Sequence, residues 1–175
     1  MSAALGNGSL YLSLFYNPNG YHWGLLAKTS ERDTSPSTLF HATNRTGLWV
    51  FTVQSKYKFE DSHAVILVLK IGTLSPAMTS QNFVSILSNR HVLVVYSLEL
   101  QQETLATVPV VNGDPNFTCL TWAKLALHKL HNESIITCYD IDALVNEAVT
   151  NAAMYRESVT TGAGTWGYAI SALSR

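Results

Sequence analysis

The sequence predicts an α+β domain, an antiparallel sheet of about five to six strands with helices packed on it. Three observations support this. Segments with strand character fill the first half of the chain. Two clear helical segments occupy the last third. No repeat, low-complexity block or linker separates the two regions. At 175 residues the chain is one domain's worth, residues 1–175, and long enough to bury a core without disulfides.

The elements follow in order. Leu10 to Tyr16 alternates around Ser13, and Tyr21 to Ala27 follows across Asn17-Pro18-Asn19-Gly20, a turn sequence; together they read as a hairpin. Lys28 to Thr38 is polar and contains Pro36, so it reads as a mobile loop. Strands are expected at Leu39 to Thr43, Leu48 to Val53 and His63 to Ile71. The last of these is apolar at nearly every position and should be buried on both faces. Ser75 to Leu87 fits neither a helix nor a strand uniquely, although Ser75-Pro76 can start a helix. Val92 to Leu98 is short and β-branched, and Leu100 to Thr107 suits one or two helical turns. Thr118 to His131 reads as a helix opening after Gly113-Asp114-Pro115-Asn116. Ile141, Leu144, Val145, Ala148, Val149 and Ala152 repeat at three and four, which makes an amphipathic helix with Asp140 as its cap. Thr160 to Gly167 is rich in Gly and Thr and is expected to loop back over the surface.

Composition removes whole classes of function. Charged residues make up 13% of the chain and the formal net charge is −1. That excludes a disordered chain, a coiled coil and a strongly basic duplex binder. The two cysteines are too few for a disulfide framework and can either bridge once or stay free. The start of the chain lacks the basic-then-apolar pattern of a signal peptide, and the longest apolar run, Ala64 to Leu69, is far below membrane-spanning length. The expectation is a soluble cytoplasmic domain with no membrane span.

Metal and nucleotide chemistry find little support. The histidines at 22, 41, 63, 91, 128 and 131 and the cysteines show no zinc-ligand spacing, so neither a metal nor any other cofactor is expected. Gly162, Gly164 and Gly167 have dinucleotide-loop spacing, but no helix follows them.

Cys119 is the more informative residue. Projected at about 100° per residue, Cys119, Trp122, Ala123, Ala126, Leu127 and Leu130 fall on one face of their helix, and Thr121, Lys124, His128 and His131 on the other. A thiol in a first helical turn meets unpaired N–H groups and the positive end of the helix dipole. Both favour a thiolate and can hold an oxyanion. The alternative is a small buried hydrophobe, which is also the simpler reading of Cys138. A nucleophile needs a base. His22 shares a strand face with Gly24 and Leu26, while Tyr21, Trp23 and Leu25 share the other. The glycine leaves room for a ligand or a helix end. His41 or Asn44 can orient the first imidazole.

The segment Tyr21-His22-Trp23-Gly24-Leu25-Leu26 resembles the His-Trp-Ala strand of lecithin:retinol acyltransferase-like proteins. Phe40-His41 supplies a second histidine on the next strand, and Asn116 to Trp122 places Cys119 at the opening of a later helix. The His…His…Cys order is similar to the permuted papain-like, NlpC-type thiol fold. A closer resemblance is to an uncharacterised family of short fungal proteins with segments like Tyr21–Leu26, Phe40–Asn44 and Val108–Ala123. It covers roughly Leu10 to Leu130. This chain departs from the acyltransferases in the longer gap between its histidines and in lacking their Asn-Cys-Glu-His context.

The resemblance implies Cys119 as nucleophile, His22 as base and His41 as orienting group. The chemistry implied is acyl transfer or hydrolysis on a small-molecule or peptide amide, ester or thioester. Tyr21, Trp23, Asn44, Asn116 and Trp122 are candidate substrate-binding residues, and the Lys28–Thr38 loop a candidate lid. A second transferase expectation is cyclodipeptide synthesis from aminoacyl-tRNA, with Lys124, His128 and His131 touching RNA. A third, non-enzymatic expectation is a module that keeps the fold and binds a partner; its low charge and exposed Ser and Thr would also suit self-association into a homo-oligomer.

Overall fold

A computed structural model describes residues 5–6, 8–28, 37–74, 102, 104–162, 164 and 166–175. The stretch from Ser75 to Leu87, the expected strand from Val92 to Leu98 and most of the Lys28–Thr38 lid lie outside the described residues; Lys28 itself closes a strand and Ser37 opens the next.

Five strands form the first half as the alternation requires: β1 (Ser9–Asn17), β2 (Gly20–Lys28), β3 (Ser37–Thr43), β4 (Val50–Tyr57) and β5 (Val65–Thr73). β1 and β2 make the expected hairpin, closed by Asn17 opposite Gly20, with Gly20 at a positive φ of 142°. All five pair antiparallel. Two long helices follow among the described residues, α1 (Cys119–Asn132) and α2 (Ile141–Thr160). Gln102 and Thr104–Ala106 are helical, within the stretch expected to make one or two turns.

The sheet is mixed, not purely antiparallel. A sixth strand, β6 (Gly167–Ile170), lies parallel to β5, giving the order β4-β3-β2-β1-β5-β6. The Gly- and Thr-rich stretch from Thr160 to Gly167 is turn and loop where described, with Thr160 closing α2 and Gly167 opening β6. The helical crossover returns the chain to the end where β5 began, so the next strand must run alongside it. Four residues are too few to display a period of two. Glu147 of α2 fixes the chain after β6, its carboxylate accepting from Ser171 Oγ at 2.6 Å and the Ala172 N–H at 2.9 Å.

The helices cover one face of the sheet, α1 over β2 and β3 and α2 over β1 and β5. The buried residues of α1 are those the projection selects: Cys119, Trp122, Ala123, Ala126, Leu127 and Leu130. They pack on Leu12, Leu14, Trp23, Leu25, Phe40 and Ala42. Thr118 caps α1 by accepting from the Thr121 N–H, and Asp140 caps α2 by accepting from the Ala143 N–H. A smaller apolar cluster, including Tyr11, Phe15, Leu26, Leu39, Phe59 and Val68, occupies the other face. Val65 to Leu69 are all buried, so β5 is covered on both sides as its composition requires. No helix among the described residues is long and apolar enough to cross a membrane.

Candidate functional site

Alternation along β2 and β3 divides the candidate residues between the two faces of the sheet. Tyr21, Trp23 and Leu25 point under the helices. His22, Gly24 and Leu26 point the other way, and Leu39 and His41 of β3 join them there. A Cβ on Gly24 would stand 2.8 Å from Leu39 Cδ1, 3.2 Å from the Phe40 carbonyl oxygen and 3.4 Å from His41 Cβ. The room left by this glycine is therefore filled by β3, which comes close enough to bring the two imidazoles together.

His22 Nε2 and His41 Nδ1 are 2.7 Å apart, with the rings nearly perpendicular at 82°. One nitrogen donates and the other accepts, according to the tautomer. His41 is buried and His22 half-buried. Burial depresses both basicities, that of His41 to about 4, with His22 and then Arg45 adding to the effect. For His22 burial acts first and the Arg45 charge second. Both rings are neutral at pH 7.

The pair lines a pocket of about 620 Å³. Its other walls include Asn44, Arg45, Gln54, Tyr57 and Ser62, and no Asp or Glu lines it among the described residues. Asn44 and Arg45 enter through a tight turn after β3, closed by the Gly47 N–H donating to the Asn44 carbonyl at 2.9 Å, with Gly47 at φ 95°. Burial raises the Tyr57 phenol above its ordinary range, so it remains a donor.

Cys119 stands elsewhere. β2 pairs with β3 only at Leu25, Leu26 and Ala27, so the first half of β2 has no ladder partner on that side. A two-residue hairpin closes on a hydrogen-bonded pair, and bonding alternates from there. His22 and Gly24 thus bond to β1, while the main-chain groups of Tyr21 and Trp23 face away from it. The start of α1 fills the gap. Cys119 Sγ donates to the Tyr21 carbonyl at 3.8 Å, and the N–H groups of Trp23, Leu120 and Cys119 point at the sulfur. Burial nevertheless raises the thiol above its ordinary range. A thiol with that environment is protonated at neutral pH.

The structure therefore joins His22, His41 and Asn44 around one pocket and leaves Cys119 out of it. The expected sulfur–imidazole hydrogen bond is not made, because alternation turns the His22 ring to the face opposite the helices that deliver Cys119. Tyr21 and Trp23 pack edge to face in the helix-side core, and Trp122 is fully buried, stacked on Phe51 at 5.6 Å; these three do not wall the pocket. Asn116 belongs to the turn before α1, its carbonyl accepting from Thr121 Oγ1 at 3.2 Å. Cys119 and Cys138 are both free and buried. No group of three or more potential ligands among the described His, Cys, Asp and Glu residues can hold a metal ion.

Sequence reasoning missed Arg45, Gln54, Tyr57 and Ser62. Arg45 carries the one available signal, a cation next to Asn44 in a turn directly after the His41 strand. It also missed Asn112, whose side chain accepts from the Trp49 N–H at 2.7 Å and donates to the Trp49 carbonyl at 3.0 Å. This clip fastens the chain before α1 to the start of β4.

The model of a family of unknown function, DUF6914, matches residues 8–165. The chain belongs to that family. The DUF6914 match includes both histidines, Arg45 and Cys119, and so spans the pocket and the helix start together. No curated protein and no solved structure matches the chain.

Proposed function

We propose that this chain is an acyl-transfer enzyme, a hydrolase or transferase of esters, amides or thioesters, whose acid–base centre is the His22–His41 pair. The observation that carries this reading is the 2.7 Å bond between two neutral imidazoles that both line the pocket. A neutral pair bonded through Nε2 and Nδ1 has one lone pair and one N–H left at its outer nitrogens, His22 Nδ1 and His41 Nε2. It thus carries a general base and a general acid at once.

Water, or an acceptor hydroxyl or amine, gives a proton to the outer lone pair as its oxygen or nitrogen bonds to the acyl carbon. The bond from that carbon to the leaving group breaks, and the leaving group takes the proton at the other end. One proton crosses the bond between the rings. The pair is left neutral in the opposite tautomer, with acid and base exchanged. The resemblance of Tyr21–Leu26 and Phe40-His41 to the histidine strands of permuted papain-like acyltransferases supports the acyl class.

A second reading keeps Cys119 as nucleophile. It is favoured by the three N–H groups directed at the sulfur and by its contact with Tyr21, the neighbour of His22. RNA contact through the helix stripe has less to support it, since the Lys124 ammonium is held by Asp142 at 2.6 Å.

The test is turnover of p-nitrophenyl esters, aryl amides and acyl thioesters by three variants. His22→Ala and His41→Ala should each lower kcat/KM by about 10²–10⁴-fold. Cys119→Ala should stay within a few-fold of the native chain. Loss of activity in Cys119→Ala, with His41→Ala active, establishes the thiol reading and removes this one.

A further inference from the structure

We infer that the pocket takes a substrate bearing an anionic group, a carboxylate or a phosphate, and that Arg45 binds that group. The inference rests on the pocket assigned above and names the substrate class for it. Three observations support it. The wall contains one cation and, among the described residues, no carboxylate. Arg45 is solvent-exposed, and none of the ion pairs among the described residues includes it. Arg45 lines the same pocket as His22, His41 and Tyr57, so its guanidinium is available to a ligand bound there.

A neutral histidine pair cannot compensate that cation, so the described wall of the pocket carries one net positive charge. The remaining wall is rich in neutral donors. The Asn44 and Gln54 amides and the Tyr57 phenol are suited to the oxygens of an anion. A guanidinium forks onto carboxylate or phosphate oxygens through paired N–H groups, which orients the ligand as well as attracting it. At about 620 Å³ the pocket suits a small molecule or the charged end of a peptide.

The test is calorimetric titration of the full chain with phenyl phosphate, with benzoate and with neutral benzamide, for the native protein, Arg45→Gln, Arg45→Lys and His41→Ala. At least one anion should bind, and the tighter of the two identifies the group. Arg45→Gln should weaken that anion at least tenfold. Arg45→Lys should recover part of the loss, and benzamide should be indifferent to both changes. In the native chain the bound anion should also raise the titration midpoint of His41. Failure of both anions to bind overturns the inference, as does undiminished affinity in Arg45→Gln. The proposed catalysis fails separately: anion binding that depends on Arg45, in a chain whose His22→Ala and His41→Ala variants keep full turnover, removes the acid–base reading and leaves the binding site standing.

Discussion

The two sides of β2 received different chemistry from one strand. On the helix side Tyr21 and Trp23 meet α1, and the sulfur of Cys119 is shut among apolar groups with a main-chain carbonyl as its acceptor. On the other side, one residue along, His22 meets His41 at the wall of an open pocket beside the Arg45 guanidinium. The strand's period of two separates a packed interface from a polar one within three consecutive residues. The lesson is that a nucleophile and a base adjacent in a motif, or even against the same strand, are not a dyad unless they share a face. Burial acts on both sides by disfavouring the charged form. It keeps the thiol protonated and so less nucleophilic, and it keeps the imidazoles unprotonated, with a lone pair free at neutral pH though each is a weaker base.

Each face of β2 can be perturbed separately. The largest effect is expected on the helix side. Trp122 is fully buried against Phe51, so Trp122→Ala should cost about 3–5 kcal/mol in denaturant unfolding. The ring-nitrogen signals of His22 and His41 should stay in place in the folded fraction, because the lost contacts lie across the sheet. A smaller effect is expected from the pocket side. Gly24→Ala forces a methyl group against Leu39 and the Phe40 carbonyl and should cost about 1–3 kcal/mol. Here the histidine signals should move and turnover should fall, because β3 must retreat and take His41 with it. Ring signals that respond to Trp122→Ala and ignore Gly24→Ala would mean that the faces are assigned the wrong way round.

Much of this arrangement was legible in the sequence. The buried face of α1 followed from its apolar spacing residue by residue, Asp140 was identifiable as a cap, and the β1–β2 hairpin followed from Asn17-Pro18-Asn19-Gly20. The same alternation already placed His22 with Gly24, away from Tyr21 and Trp23. What it did not reveal was which face the helices would take, since that choice depends on the sum of apolar contacts over all the strands. Once α1 covers Trp23 and Phe40, Cys119 is committed to their side. Arg45, Gln54 and Tyr57 come from a turn and an edge strand whose residues gain meaning only when β3 and β4 pair. The parallel β6 was hidden for another reason: four residues hold too little pattern, and their partner lies about a hundred residues back in the chain.

The account rests on a neutral imidazole pair that is independent of the thiol, and nitrogen-resolved NMR titration of the histidine side chains in the native chain and in Cys119→Ala addresses it directly. The unfolded chain takes up imidazole protons near pH 6.5, whereas folded His41 takes its proton only near 4. The fold should therefore be favoured above that window and weaken as pH falls through it. Both rings are expected to be neutral at pH 7 with coupled signals, the His41 midpoint to lie near 4, and both curves to be unchanged in Cys119→Ala. An imidazolium at His22 that persists at pH 7 and disappears when the sulfur is removed would show a thiolate–imidazolium pair and contradict the account.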